Sequence, residues 1–493
     1  MNKRYDRMKK LLAIAVLAAM IVSLASCSLI RINRPSDDTA APDSTTDVAD
    51  KSDSRYEMDK SAARSAALSR VAAMPDHDFS KGSFTVAVTP DENFIPDEPL
   101  DGYDDALVDR AKIAGDRYGV DFGQFQAPLE LMLSDSYSNY LSGIYYADAM
   151  LIPQSAVAEF ADKGHLLNSQ NIPYIDYTAE WFDSDAMAQS TVGWTSPAII
   201  GAAITDPDSY YCVYINTSAI DATTFDDVCA SVENGDWTWQ KLLETERAAR
   251  DINGDIKAIG AKNGGVFAAA VCSCGGRSLL QTQFGSTPVP AFDTDFVREL
   301  VNVMSSLNSD VAIFDETSAS SRELDDFRAG KSVFHIDTLK NMSEVTKMGA
   351  DWCVLPLPKS SADADGYVGL CSSDAPVLVV NAVGSDPEDA AYALNALNAA
   401  SYRYTPICYG ERIIRTALNS QRTLDMLDYV CGAKSGGGVY DFCDMYGGRF
   451  PELYEKTRIA VWGIAANGGD LSAAAAAAQS AISYKLRSAF PTE

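Results

Sequence analysis

The chain has 493 residues, of which 47% are hydrophobic, 10% aromatic and 22% charged, and this apolar content argues against a disordered chain. Lys and Arg number 40 against 68 Asp and Glu, so the formal net charge is −28 at pH 7. That charge argues against nonspecific binding to nucleic acid or to an anionic lipid surface. An enzyme, a small-molecule binder and a surface scaffold remain as functional classes.

The first 30 residues have the pattern of an export signal that ends in a lipid-attachment site. Basic residues from Lys3 to Lys10 precede an uncharged run from Leu11 to Leu24, as in a signal peptide, and the run is short for a membrane span. It ends in Leu24-Ala25-Ser26-Cys27, which resembles the bacterial lipobox. We expect a signal peptide over residues 1–26, acylation of Cys27 (diacylglyceryl, palmitate), and membrane anchoring at the cell surface or periplasmic face. A plain secretory signal with an incidental cysteine is the alternative.

Residues 27–80 form the next compositional block, which is dominated by Asp, Ser, Ala and Thr. A segment of this composition buries little apolar surface, so we predict a lipid-anchored flexible tether. Residues 56–73 have the composition of a short helix within it. The folded body is predicted to start at Gly82.

Strand and helix signals alternate along that body. The β-branched run over residues 83–89 predicts a strand, and apolar residues at helical spacing predict a helix over residues 104–118. The run 385–389 predicts the start of a later helix, with a cap and a proline in its first turn, and Ser472 is predicted to cap another. Further predicted elements are strands at 147–152, 211–216, 332–336, 352–357 and 376–381, and a helix at 155–162. The alternation predicts an α/β fold with mainly parallel sheets.

The sequence indicates no metal site and no cofactor. One of the ten cysteines is Cys27, and most of the others lie in apolar runs typical of small buried side chains. Cys272 and Cys274 are too close for a C-x-x-C pattern. The segment 251–255 begins like a calcium loop, but Ile256 and Lys262 stand where that loop needs Gly and Glu.

Catalytic signatures are also missing from the sequence. The chain has only three histidines, and neither a G-x-S-x-G elbow nor an H-E-x-x-H helix occurs. Structural roles are expected for His165 and His335. We therefore predict a non-enzyme. Glycoside hydrolysis stays open as an alternative, because its two carboxylates can come from any part of a chain.

Several segments, taken in order, resemble bacterial extracellular solute-binding lipoproteins, the carbohydrate-type substrate-binding proteins of ABC transporters. The resemblance runs from about Gly82 to Leu486. Its segments are Tyr211–Asn216, Gly235–Trp239 with the following helix and loop, Phe327–Phe334, and Trp352–Lys359 followed by Gly366, Tyr367 and the strand at 376–381.

The resemblance implies a two-lobed, periplasmic-binding-protein-like α/β fold with hinge-connected lobes. Residues 81–205 and 359–405 would form lobe 1, and residues 206–358 and 406–493 lobe 2. One solute, a sugar or oligosaccharide, would be held by hinge closure and delivered to the permease subunits of an ABC importer. A surface lipoprotein glycoside hydrolase and a non-catalytic scaffold are the alternatives.

Ligands of open α/β sheets bind beyond the carboxyl ends of strands, so the loops after the predicted strands supply the candidate site. Their polar side chains suit sugar hydroxyls, and nearby aromatic rings suit the C–H face of a sugar. Trp237 and Trp239 are expected to be packing residues. The predicted ligand-binding residues are Asp91, Gln154, Ser155, Trp194, Asp206, Tyr210, Asp337, Thr338 and Tyr367, with Trp181 as a further nearby aromatic.

Overall fold

The structure, a computed structural model, describes residues 59–490 except positions 91, 205, 253, 255, 277, 283–284, 293–294, 311, 315–321, 385, 418–420 and 432–437. The predicted signal peptide, Cys27 and most of the predicted tether lie outside the described residues. Within the described part, helices and strands alternate along most of the chain, so the α/β class is confirmed.

The first sheet contains the strands β1 (Ser83–Val88), β2 (Asp121–Gln126), β3 (Ala149–Pro153), β4 (Ala198–Ile199) and β13 (Pro376–Val380). Its strand order is β2-β1-β3-β13-β4. The strands β1 and β3 are parallel, whereas β13 is antiparallel to both of its neighbours. The apolar run of β13 is wholly buried between β3 and β4.

The second sheet contains the strands β5 (Tyr211–Asn216), β6 (Lys257–Lys262), β9 (Ala312–Phe314), β10 (Ser332–Thr338) and β11 (Trp352–Leu355). Its order is β11-β5-β10-β6-β9. Two short ribbons complete the described strands: β7 (Leu280–Gln281) with β8 (Val289–Pro290), and β12 (Gly369–Leu370) with β14 (Gly438–Val439).

Helices surround both sheets. Up to the end of β10 they are α1 (residues 59–72), α2 (Gly102–Tyr118), α3 (Leu129–Ser142), α4 (Val157–Asp162), α5 (Ser184–Gln189), α6 (Ala222–Glu233), α7 (Trp239–Ile252), α8 (Asn263–Ser273), α9 (Asp295–Asp310) and α10 (Arg322–Arg328). After β10 they are α11 (Met342–Val345), α12 (Pro387–Ser401), α13 (Thr405–Ala417), α14 (Gln421–Val430), α15 (Phe442–Gly447), α16 (Glu452–Lys456), α17 (Arg458–Asn467) and α18 (Leu471–Ala489).

The prediction of mainly parallel sheets was wrong, because four of the eight pairings in the two sheets are antiparallel. The reason lies in how the chain passes between the sheets. It leaves β4 of the first sheet for β5 of the second, and it leaves β11 of the second for β13 of the first. A strand that is entered directly from the other sheet starts at the edge where its parallel neighbours end, so it runs antiparallel to them.

The folded part also begins earlier than the predicted Gly82. Helix α1 packs on the body, and its Ala67 and Val71 are buried in the apolar core. The guanidinium of Arg70 donates to the carbonyl oxygens of Ala399 and Tyr402 at 3.0 and 2.6 Å. The Asp389 carboxylate contacts His77 at 2.8 Å. Residues 59–80 are therefore a docked arm of the folded body and not part of a free tether.

The helix start predicted within residues 385–389 is confirmed, and the cap predicted at Ser472 moves. Asp386 caps α12, with Pro387 as the first helical residue, because its carboxylate accepts from Glu388 N at 2.9 Å. Asp470 caps α18 in place of Ser472, whose backbone N–H donates to the Asp470 carboxylate at 2.9 Å.

No disulfide joins the nine cysteines of the described chain, and eight of their side chains are buried. Burial raises the pKa of the Cys229 thiol to about 11 and that of Cys274 to about 12. The expectation that these cysteines are small buried side chains is confirmed. None of the described helices combines the length and the apolar character that a membrane crossing needs.

Candidate functional site

The chain passes between the two sheets at one edge of each sheet, and strand register shows which residues lie at these edges. In the first sheet, Pro153 at the end of β3 pairs with Pro376 at the start of β13. In the second sheet, Thr338 at the end of β10 pairs with Tyr211 at the start of β5. The segment 200–210 connects these two edges, and its described residues line two cavities.

This crossing segment is fixed by its own turn chemistry. Asp206 caps a short 3-10 helix, Pro207–Ser209, and its carboxylate accepts from Asp208 N at 3.1 Å. The carbonyl oxygen of Tyr210 accepts from Leu339 N at 2.9 Å, and Ser209 O accepts from Ser372 N at 2.9 Å. The segment is therefore tied both to the end of β10 and to the chain that leads into β13.

The first cavity has a volume of about 700 Å³ including its part open to solvent. The chain after β1 contributes Glu92, the crossing segment contributes Asp206 and Asp208, and the chain after β10 contributes Lys340. Strand ends of both sheets thus meet at one cavity. Its remaining lining comes from Asn93, Phe94, Tyr103, Asp104, Leu107, Arg110, Leu151, Ala203, Ile204, Pro376 and Arg412.

Asp206 has the most perturbed carboxylate of this cavity. Its pKa is raised from 3.8 to about 7, first by burial and then by the charges of Asp208 and Glu92, against a smaller opposing effect of Lys340. The hydroxyl of Tyr409 donates to the Asp208 carboxylate at 2.5 Å. A carboxyl group that titrates near neutral pH can either donate or accept a hydrogen bond to a ligand hydroxyl.

The two guanidinium groups of the first cavity are held by protein groups. Arg412 bonds to the carboxylates of Asp101 and Asp104, at 2.6 and 2.5 Å. Arg110 is buried and donates to Ala203 O at 2.5 Å, to Phe94 O at 2.9 Å and to Ser401 Oγ at 3.0 Å. Burial lowers the Arg110 pKa to about 10. Arg110 therefore connects the loop after β1, the crossing segment and the end of α12.

The second cavity, of about 830 Å³ including open space, is also lined by the crossing segment, through Ile200, Gly201, Ala202 and Tyr210. Five aromatic residues line it, and so do three acidic residues. The aromatic residues are Trp181, Phe182, Tyr210, Tyr402 and Tyr440, and the acidic residues are Glu180, Asp183 and Asp185.

Of the predicted ligand-binding residues that the structure describes, Asp206 lines the first cavity and Tyr210 lines the second. Asp91 lies outside the described residues, although the next residue, Glu92, lines the first cavity. Gln154 is buried, and its Nε2 donates to Ser372 O at 2.6 Å. The backbone N–H of Ser155 donates to Ser373 O at 3.1 Å. These two residues join the end of β3 to the chain before β13.

The other predicted residues have local partners. The Asp337 carboxylate accepts from Asn341 Nδ2 at 2.8 Å, and Thr338 O accepts from the Tyr214 hydroxyl at 2.8 Å. The Tyr367 hydroxyl accepts from Trp237 N at 3.2 Å, inside the packing of the second sheet. Trp194 is 53% exposed. As ligand contacts, these four residues stay predictions.

The packing and structural roles that the sequence predicts for two tryptophans and two histidines are confirmed. Trp237 and Trp239 are buried, at 0% and 4% exposure. His165 is buried with its Nε2 3.0 Å from Ser136 Oγ, and burial lowers its pKa to about 4. His335 is also buried and lies 3.2 Å from the Asp337 carboxylate.

The sequence reasoning missed most of the ionic lining of the first cavity. Glu92 and Lys340 each lie within two residues of a predicted site residue, so the rule that favours strand ends could have included them. Arg412 and Tyr103 lie on helices α13 and α2, where helical spacing gives no sign of a cavity.

No protein-family model matches the chain, and no curated protein matches it. Two solved structures are similar to it, each with 14% sequence identity over 82% of this chain. One is the GacH receptor of Streptomyces glaucescens GLA.O, studied without ligand and with acarbose or an acarbose homolog, covered to 98% with a TM-score of 0.46. The other is a cyclic alpha-maltosyl-1,6-maltose binding protein from Arthrobacter globiformis, covered to 99% with a TM-score of 0.49. At these TM-scores, neither similarity carries an argument about ligand or residues.

Proposed function

We propose that this protein is an extracytoplasmic solute receptor of the carbohydrate type, which holds a sugar or oligosaccharide in the first cavity and delivers it to an ABC importer. The observation that supports this function is the lining of that cavity. Glu92 follows a strand of the first sheet, Lys340 follows a strand of the second, and Asp206 lies on the chain between them. A ligand held there contacts both halves of the molecule.

Closure around a solute requires that the ligand gains free energy from both halves together. The proposed lobes are residues 81–205 with 359–405, and residues 206–358 with 406–493. The crossing at 200–210 and the passage from β11 to β13 are the proposed hinges. Rotation there would change the distance between Glu92 and Lys340, and a bound polyol would bridge them through hydrogen bonds.

The proposal includes a membrane anchor. A lipid on Cys27 would hold the receptor near its permease. Energy for import would come from the transporter's ATPase, because the sequence has no nucleotide-binding motif.

Thermal unfolding of the full chain in detergent, scanned against mono- and oligosaccharides, amino acids and peptides, tests this function. A ligand at 100 times its dissociation constant stabilises the folded state by about 2.7 kcal/mol and raises the midpoint by several degrees. Asp206→Ala is expected to abolish the response to a sugar, while Asp183→Asn in the second cavity retains it. A response that survives Asp206→Ala would contradict the site. Cleavage of a glycan in the panel would favour the hydrolase, and no response to any compound would contradict the receptor.

A further inference from the structure

The second cavity combines aromatic rings with negative charge. Its acidic residues are Glu180, Asp183 and Asp185, and no Lys, Arg or His is present among its described lining residues. Arg70, whose charge interacts with Glu180, is held by the carbonyl oxygens of Ala399 and Tyr402. The first cavity differs because Lys340, Arg110 and Arg412 line it together with its acids.

Two glycines allow the walls of the second cavity to come close together. A Cβ atom at Gly438 would lie 2.6 Å from the ring of Tyr210 and 2.7 Å from Cys371 Sγ. A Cβ atom at Gly201 would lie 2.6 Å from the carbonyl oxygen of Trp181. The backbone therefore approaches the Tyr210 ring and the Trp181 main chain at distances that only glycine permits.

Asp183 brings a carboxylate to the same rings. One of its oxygens accepts from Ala186 N at 2.8 Å, so the side chain caps helix α5. Burial is the main reason that the pKa values of Tyr210 and Tyr440 are raised, and the charges of Asp183 and Asp206 add to both. A negative charge thus lies close to two tyrosines in a partly desolvated space.

We propose that this cavity binds a small organic cation, such as a quaternary or primary amine. An aromatic ring attracts a cation through its quadrupole, and the attraction grows when water is excluded. A cation also compensates Asp183, whereas a neutral ligand would leave a desolvated carboxylate unbalanced. This site is separate from the proposed sugar site, because no described residue lines both cavities.

Choline and 3,3-dimethyl-1-butanol have the same shape, but only choline carries a positive charge. Comparing their binding therefore separates the effect of charge from the effect of shape. Calorimetric titration of the full-length protein in detergent is expected to show saturable choline binding in the millimolar range or tighter, with the neutral isostere at least about tenfold weaker. Asp183→Asn keeps an oxygen for the cap of α5 and removes the charge. It is expected to weaken choline about tenfold and to leave the isostere unchanged.

Glu92→Gln in the first cavity is the matched control, and it is expected to leave choline affinity unchanged, because Glu92 lines the first cavity and not the second. Equal binding of choline and its isostere would overturn the proposal, because the cavity would then recognise shape alone. Absence of saturable choline binding would overturn it as well. Loss of choline binding in Glu92→Gln would place the cation in the first cavity. A sugar response in the thermal assay is independent of all three results, so the two proposals can fail separately.

Discussion

Replacement of Asp206 by asparagine is expected to stabilise the protein above neutral pH. In the folded chain the pKa of this carboxyl is about 7, against 3.8 for an ordinary aspartate. Between these two pH values the folded state binds more protons than the unfolded state. Stability is therefore lost as the pH rises through this range, and it is fully present only below pH 3.8.

The magnitude follows from the two pKa values. At about 1.4 kcal/mol per pH unit, their difference corresponds to about 4 kcal/mol once Asp206 is fully ionised. The side chain keeps part of its surface in water, which screens the penalty, so we expect a gain of about 2 to 4 kcal/mol for Asp206→Asn at pH 8.5. At pH 5 the wild-type side chain is protonated and resembles asparagine, so the gain there should be small.

Chemical denaturation at pH 5 and pH 8.5 measures both differences. Asp208→Asn is the companion variant, because removing the Asp208 charge should lower the pKa of Asp206 and reproduce part of the gain. Asp365→Asn, at an exposed position, controls for the change in net charge. An equal gain for Asp206→Asn at both pH values would refute the reasoning, since it would exclude ionisation as the cause.

Three further predictions test other parts of the structure. The pKa of His165 is about 4, so NMR titration of its imidazole should give that midpoint, and a midpoint near 6.5 would contradict its burial. The wild type loses stability as the pH falls from 6.5 to 4, and His165→Gln should recover up to about 3 kcal/mol of that loss. Arg110→Lys cannot make all three of the Arg110 hydrogen bonds and should cost about 2 to 4 kcal/mol in denaturant unfolding, and a loss below about 0.5 kcal/mol would show that these bonds do not hold the crossing. Gly438→Ala should lower the thermal midpoint by several degrees through its clash with Tyr210, whereas Gly366→Ala, which has no atom within 4 Å of the new Cβ, should not; equal midpoints would mean that the ring moves freely.

Local chemistry was sufficient to predict many of the elements. Residues 211–216 are a strand in both the sequence analysis and the structure, because a continuous apolar run suits a strand buried on both faces. The cap of α18 was misplaced by two residues, since Asp470 and Ser472 are both good cap residues and only the backbone decides between them.

Sheet direction and the ionic contacts of the first cavity could not be predicted in this way. The guanidinium of Arg412 pairs with Asp101, which lies 311 positions earlier in the chain, and no local pattern encodes that distance. The antiparallel direction of β13 depends on which sheet the preceding chain comes from. The docking of the arm depends on Asp389, which helical propensity around residues 56–73 does not reveal.

The buried cysteines have a consequence for handling in an oxidising medium. In the folded protein, raised thiol pKa values and burial keep these side chains chemically inert. In the unfolded chain the thiols return to ordinary acidity and face solvent together. In an oxidising medium they would then form random cross-links faster than a long α/β chain refolds. Unfolding would become irreversible there, and the lifetime of the folded protein would be set by its rate of unfolding.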